Sequence, residues 1–172
     1  MIYYAGIGSR NCPENIANAI EKISGILAKK GFILRSGGAG GCDAAFESGC
    51  DKSRGKKQIF LPWKNFNDNK SPLYTQPDWA RKVAFDFHPY INENSKHSLI
   101  KLMSRNSMQI LGPNNKEEEH SKFVVCYTPD GEDSGGTGQA LRIARSLNIP
   151  VFNLYHKSSL QDLKQIVSEL NS

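Results

Sequence analysis

Glycine-rich segments stand at three places in this sequence of 172 residues, and each lies between a short apolar run and a segment of helical character. The segments are residues 6–10, 36–43 and 134–138. The apolar runs before them are continuous rather than alternating, which is typical of strands buried on both faces of a parallel sheet. The repeated order of strand, glycine turn and helix therefore predicts an α/β fold with crossover helices.

The remaining pattern gives the expected order of elements. Apolar runs predict strands at residues 2–7, 32–35, 57–61, 122–127 and 149–154. Helical spacing and end signals predict helices at 13–30, 44–48, 95–111, 139–147 and 158–170, with Gly49 expected to end the second of them. We expect a doubly wound, mostly parallel, Rossmann-like sheet of five or slightly more strands, with helices on both faces.

One domain over residues 1–172 is expected, because a chain of this length can bury an adequate core by itself. Residues 64–94 are too long for an ordinary connection and contain Pro72, Pro77 and Pro89, so we expect a partly helical lid or insertion there. In doubly wound folds ligands bind beyond the carboxyl ends of the strands, near the point where the strand order reverses. The three glycine segments are therefore expected to converge.

Composition limits the function classes. Hydrophobic residues make up 38% and charged residues 23% of the chain, which is typical of a globular protein. The first residues do not resemble a signal peptide and no window approaches a membrane span, so a cytoplasmic protein without a membrane partner is expected. The four cysteines and four histidines are scattered, so we expect reduced thiols, no metal and no cofactor. The net charge of +5 favours anionic partners.

The glycine segments indicate phosphate binding. Glycine permits positive φ and close backbone approach, so a strand that passes through glycines into a helix can direct free N–H groups at an anion, with help from the helix dipole. The expected ligand is a nucleotide or another phosphate-bearing molecule. The backbone and hydroxyl groups expected at this site belong to Gly8, Ser9, Ser36, Gly37, Gly38, Ala39, Gly40, Ser134, Gly135, Gly136, Thr137 and Gly138.

Four side chains near these segments have a functional and a structural interpretation. Arg10 is a candidate fork for phosphate, or a solvated arginine at a helix start. Asp43 is expected to cap its own helix or to accept hydrogen bonds from ribose hydroxyls, and Glu47, one turn later, joins it as a second carboxylate or is solvated. Trp63 is a candidate for stacking on a base, or packs in the protein interior.

The ordered motifs resemble those of the SLOG superfamily, which unites the DprA/Smf proteins with the Lonely Guy (LOG) and lysine-decarboxylase-like proteins. The motifs are Gly8-Ser-Arg10, the run from Ser36 to Asp43, Arg105-Asn106 and Gly135-Gly-Thr-Gly138. The resemblance covers residues 2–154 apart from 64–94, and it adds Arg105 and Asn106 to the expected ligand-binding residues. Small stand-alone members resemble proteins found on phage genomes.

The resemblance implies different functions in different branches. DprA proteins, which share the first motifs and the Arg-Asn pair, bind single-stranded DNA and load a recombinase. LOG enzymes hydrolyse the N-glycosidic bond of nucleoside 5'-monophosphates, and Arg105 matches their arginine, but Leu141 and Arg142 stand where they carry glutamates. The carboxylate would then have to come from Asp43, Glu47 or Asp133. Other SLOG domains sense nucleotide-derived signals, including cyclic ADP-ribose relatives in anti-phage defence.

We expect a binding protein rather than an enzyme. Its expected ligand is a nucleotide or a nucleotide-derived messenger, of the cyclic ADP-ribose or cyclic nucleotide type, which it would sense or sequester in phage defence or counter-defence. One alternative is a LOG-like phosphoribohydrolase, with Arg105, Asp43 and Glu47 as catalytic candidates. The other is a DprA-like module for single-stranded DNA. A homo-oligomer, a dimer or larger, is also expected, with residues 95–111 as the candidate interface helix.

Overall fold

The computed structural model describes all of residues 1–172. The strands are β1 (Ile2–Gly8), β2 (Phe32–Ser36), β3 (Lys57–Ile59), β4 (Val124–Tyr127) and β5 (Val151–Asn153). The α-helices are α1 (Glu14–Lys29), α2 (Cys42–Lys52), α3 (Asp78–Phe87), α4 (His97–Leu111), α5 (Gly135–Ser146) and α6 (Ser159–Leu170). Short 3-10 helices span Phe66–Asp68 and Glu117–Glu119.

The strands form one sheet in the order β3-β2-β1-β4-β5, and all neighbouring pairs are parallel. This confirms the predicted doubly wound, five-stranded α/β fold. The chain moves outward from β1 to β3 and then returns to the other side of β1 for β4. The strand order therefore reverses between β1 and β4, which places the expected ligand crevice at the carboxyl ends of these two strands.

Successive side chains of a strand point to opposite faces of the sheet. Because the strands here are apolar on both faces, helices cover both of them. In β1, Tyr4 belongs to the core beneath α1, α2 and α6, whereas Ala5 and Ile7 belong to the core beneath α4 and α5. Each helix turns its apolar face to one of these cores. No helix combines the length and the apolar character that a membrane crossing requires.

Two helix boundaries differ from the prediction by more than one or two residues. Helix α2 continues through Gly49, because this glycine serves close packing rather than termination: a Cβ there would lie 2.2 Å from the carbonyl oxygen of Glu21 in α1. Helix α5 begins at Gly135 instead of Gln139. The glycines of the third segment therefore form the first turn of a helix, where amide groups have no partner within the helix.

Residues 64–94 contain the turn of 3-10 helix and α3, with extended chain between them. The side chain of Asn67 donates a hydrogen bond to the carbonyl oxygen of Gly38 at 3.2 Å, so the segment contacts the loop after β2. Helix α3 packs on α4, and Ser107 of α4 donates a hydrogen bond to Ala80 at 3.1 Å. This packing buries α4 from Met103 to Leu111 and leaves only its first turns accessible to a partner chain.

Candidate functional site

A cavity of about 520 Å³ opens at the carboxyl edge of the sheet, between β1 and β4 and against α4 and α5. It brings together residues from all three glycine segments and from the Arg-Asn pair. The predicted residues that line it are Gly8, Ser9, Arg10, Ala39, Asp43, Arg105, Asn106, Ser134, Gly135, Gly136 and Thr137. The glycine segments thus converge on one cavity at the switch point.

Sequence reasoning missed other lining residues, namely Ile7, Leu102, Met103, Gln109, Thr128 and Pro129. Some of them carried a signal in the sequence. Leu102, Arg105, Asn106 and Gln109 recur at the i, i+3, i+4, i+7 spacing of one helix face, so the Arg-Asn pair predicts its neighbours along that face. Thr128 and Pro129 simply extend β4 into the cavity.

The first two loops are fixed against each other by a glycine that the prediction omitted. Gly41 has φ +72°, and a Cβ on it would lie 2.2 Å from the carbonyl oxygen of Arg10. Next to it, the amide of Cys42 donates to the carbonyl oxygen of Ser9 at 3.1 Å. Only glycine at position 41 lets the second loop approach the first this closely.

Arg105 is 5% exposed and uses most of its guanidinium to hold protein groups. Its Nη1 donates to the carbonyl oxygens of Gly37 and, at 3.3 Å, Phe60, while its Nε donates to Oδ1 of Asn106 at 2.9 Å. Burial lowers the pKa of Arg105 to about 10, so the group stays charged at neutral pH. Arg105 therefore supplies a buried positive charge and anchors the loop after β2.

Asn106 holds the opposite side of the cavity. Its Nδ2 donates to the carbonyl oxygen of Gly136 at 3.0 Å, in the first turn of α5. Since Nε of Arg105 in turn donates to Asn106, the two adjacent side chains connect two of the glycine loops through α4. The Arg-Asn motif thus acts as a clamp that sets the width of the cavity.

The first turn of α5 presents free donors to the cavity. The first backbone bond of this helix runs from the amide of Gly138 to Ser134 at 2.9 Å, so the amides of Gly135, Gly136 and Thr137 have no backbone acceptor. The hydroxyl of Ser134 donates to Asp130 at 2.8 Å and is already occupied. The free amides and the positive end of the helix dipole make this wall electrostatically favourable for a negative charge.

Asp43 is the acidic side chain in the cavity lining, and it is 5% exposed. Its Oδ2 accepts a hydrogen bond from the amide of Ala39 at 3.3 Å, in the loop before α2, so Asp43 does not cap its own helix as one of the two predictions had it. Burial raises the pKa of Asp43, while the nearby Arg105 charge and backbone amides oppose that shift. Asp43 and Arg105 both lie against Gly37, where any Cβ would collide with them.

Arg10 differs from Arg105 because it is exposed at the cavity rim. It forms no salt bridge and its side chain makes no hydrogen bond within the chain. Its guanidinium is therefore available as a two-pronged donor to a phosphate.

Several predicted site residues lie outside the cavity lining: Ser36, Gly37, Gly38, Gly40, Gly138, Glu47 and Trp63. The pairing of Asp43 with Glu47 is not formed, because Glu47 binds Lys57 at 2.8 Å and Asn69 at 2.9 Å on another surface. Trp63 packs edge-on against Phe66, with ring centroids 5.3 Å apart. Gly38 and Gly138 instead leave room for Leu61 and for the backbone of Asp133, respectively.

The positions that carry glutamates in LOG enzymes do not face the cavity. Leu141 is fully buried in the core beneath α5. Arg142 donates to the backbone carbonyls of Phe87 and Asp133, and Asp133 pairs with Arg145 at 2.7 Å. Asp43 is left as the one carboxylate of the lining.

The fold and the cavity define a class: a Rossmann-like α/β protein with a polar cavity at its switch point. No protein-family model matches the chain, and no curated protein matches it by sequence. Its fold is similar to that of DNA processing protein A (DprA) from Streptococcus pneumoniae, with a TM-score of 0.57 and 16% identity. That alignment covers 89% of this chain and 50% of the pneumococcal protein.

A second structure is that of DNA processing protein A from Helicobacter pylori, determined for its single-stranded DNA binding mode. It aligns with a TM-score of 0.49 and 16% identity over 88% of this chain and 64% of that one. The chain thus spans half of the first protein and less than two thirds of the second. The likeness to the pneumococcal protein establishes a shared fold.

Proposed function

We propose that this chain binds single-stranded DNA and holds a backbone phosphate in the cavity between β1 and β4. The observation that carries the proposal is that one arginine of the cavity is bound to protein groups while the other is free. Arg105 is buried and committed to the loops, whereas Arg10 is free at the rim beside the open amides of α5. A ligand phosphate would meet one free guanidinium and neutral N–H donors.

That arrangement suits a phosphodiester better than a terminal phosphate. A phosphodiester carries one negative charge, whereas a terminal phosphate carries nearly two at neutral pH. Asp43 lies inside the cavity near Arg105, and a carboxyl group there disfavours a doubly charged ligand more than a singly charged one. A strand that continues past the exposed rim at Arg10 and Gly136 needs to place only one phosphate in the cavity.

Two further observations support a nucleic acid partner. The net charge of +5 favours association with a polyanion. The fold is shared with a protein named for DNA processing, and this likeness favours the DNA-binding alternative over a small messenger. On this proposal the chain is a DprA-like module, and the Arg-Asn clamp shapes its phosphate site.

The first test is titration of fluorescein-labelled dT12 by fluorescence anisotropy, with a 12-base-pair duplex as the control. The proposal predicts binding of dT12 that weakens steeply as salt rises, because each neutralised phosphate releases counterions. It also predicts weaker binding of the duplex, because a stiff double helix cannot insert a single backbone phosphate into the cavity. Absence of dT12 binding at low salt would overturn the proposal.

A free nucleotide or nucleotide-derived messenger is the second candidate, and the size of the cavity favours it. About 520 Å³ lies within the range of small-molecule pockets, roughly 300–1,000 Å³. Gln109 adds a buried side-chain amide to the lining that could recognise a base. Calorimetry against mononucleotides, cyclic nucleotides and cyclic ADP-ribose tests it. Binding of one of these compounds, with none of dT12, would replace the first candidate by the second.

We propose binding without turnover. Hydrolysis of an N-glycosidic bond needs a carboxylate to stabilise the developing positive charge or to activate water, and Asp43 is the single candidate in the cavity. Its carboxylate already accepts a hydrogen bond from Ala39. Chromatography of nucleoside 5'-monophosphates after long incubation should recover them intact, and released base would contradict this part of the proposal.

A further inference from the structure

Tyr90 is the most exposed aromatic side chain of the molecule, at 85%. It lies in the turn between α3 and α4, where its amide donates to Nδ1 of His88 at 3.3 Å and the two rings stand edge to face, 6.3 Å apart. The rest of the turn is braced by Ser95, whose hydroxyl accepts from the amide of Asn92 at 3.0 Å. An almost fully exposed aromatic ring thus stands on a hydrogen-bonded turn.

The turn is attached to the wall of the cavity. Ile91, next to Tyr90, is 5% exposed and packs in a small apolar cluster with Ala84 and Met103. Met103 also lines the cavity. A single buried cluster therefore separates the exposed ring from the proposed phosphate site.

Arg142 connects the end of α3, just before this turn, to the residue that precedes the third glycine segment. Its Nε donates to the carbonyl oxygen of Phe87 at 3.0 Å and its Nη1 to that of Asp133 at 3.3 Å, just before the lining residue Ser134. Arg142 is only partly buried, so its positive charge is felt at the surface between the turn and α5. A phosphate that leaves the cavity on this side would pass a cation before it reaches Tyr90.

We infer that Tyr90, braced by His88 and flanked by Arg142, forms a second subsite that stacks one base of a single DNA strand. This inference rests on the proposed function and extends it, because it states where the strand leaves the cavity: over α4 and α5, toward the turn after α3. Stacking on an aromatic face tolerates any base and is unavailable to a paired one. The subsite would thereby add selection for single strands to a cavity that recognises only phosphate.

The test compares Tyr90→Ala, Tyr90→Phe and the matched control Tyr155→Ala in binding of fluorescein-labelled dT12. Tyr155 is 50% exposed and also stands edge-on to a histidine, but it follows β5 and does not line the cavity. Each protein is also titrated with a 12-unit abasic strand that keeps the phosphates and lacks the bases. Thermal unfolding of each variant checks that the exposed substitutions leave the fold intact.

The inference predicts that Tyr90→Ala weakens dT12 binding by roughly 5- to 100-fold, as loss of one base-stacking contact would. Tyr90→Phe and Tyr155→Ala should stay within about twofold of the parent protein, since the phenyl face is retained or the site is untouched. The abasic strand should bind the parent and Tyr90→Ala equally.

Other results separate the two claims. If dT12 binds and Arg10→Ala weakens it while Tyr90→Ala does not, the subsite is overturned and the proposed function stands. Equal losses for Tyr90→Ala and Tyr155→Ala, or an equal loss on the abasic strand, also overturn the subsite. If the parent protein does not bind dT12, the proposed function fails and the subsite fails with it.

Discussion

Arg105 in α4 donates a hydrogen bond to the carbonyl oxygen of Gly37 in the loop after β2, although the two residues are 68 positions apart. The neighbouring Asn106 makes the equivalent contact to Gly136 in α5. The Arg-Asn motif, which the sequence predicts to contact a ligand, therefore also holds the walls of the cavity together. This dual role separates residues whose loss should unfold the site from residues whose loss should only weaken ligand binding.

Arg105→Ala should destabilise the protein by roughly 1–3 kcal/mol for each buried carbonyl oxygen that loses its donor. It leaves the carbonyls of Gly37 and Phe60 without their donor and leaves Asp43 without its compensating charge. Chemical denaturation of Arg105→Ala and of the double variant Arg105→Ala/Asp43→Asn measures this. The double variant should recover roughly 1–3 kcal/mol. Strict additivity of the two single changes would contradict the coupling.

Gly49→Ala should cost roughly 1–3 kcal/mol or more, because its Cβ would enter the backbone of α1 at Glu21. Gly40→Ala is the matched control, since a Cβ there meets nothing within 4 Å and the backbone φ is not positive. Thermal or urea unfolding should leave Gly40→Ala near the parent protein. Similar losses of stability for both substitutions would contradict the close approach of Gly49 in α2 to Glu21 in α1.

Asp43 should make stability depend on pH in an unusual direction. Because burial raises its pKa in the folded state, the folded protein holds the proton at pH values where the unfolded chain, with a pKa near about 3.9, has released it. The Asp43 contribution to stability is greatest below that unfolded pKa and falls as pH rises through the folded one. Relative to the parent, Asp43→Asn should gain stability as pH rises from the unfolded pKa through the raised folded one. A constant or falling difference in the free energy of unfolding would contradict the raised pKa.

The sequence was informative about the fold because glycine and proline signals, apolar runs and helix periods are local. The continuous apolar run that becomes β1 and the helical spacing within α1 predict their elements directly. Local signals could not show that α2 continues through Gly49 and packs there against α1, because a glycine after a helical stretch often ends a helix. That distinction depends on α1, which comes from a distant part of the chain.

The candidate site was predictable to the extent that it consists of backbone at strand ends. Gly8 and Gly136 line the cavity because parallel strands end at one edge of the sheet. The partners of side chains were not predictable. Glu47 lies one helical turn after Asp43, yet Lys57 and Asn69 hold it on another surface. Arg105 likewise matched a ligand-binding motif, and only the tertiary contacts revealed its carbonyl partners.

The most direct test of the central claim compares Arg10→Ala with Arg54→Ala in dT12 binding at fixed salt. Both substitutions remove one exposed arginine that forms no salt bridge. Arg54 differs from Arg10 in position, because it follows the end of α2, at the opposite edge of the sheet from the cavity. Loss of a charged hydrogen bond to phosphate should weaken binding by Arg10→Ala roughly 10- to 100-fold, while Arg54→Ala stays within about twofold. Equal effects of the two substitutions, or no effect of Arg10→Ala, would contradict a phosphate site at the β1–β4 switch point.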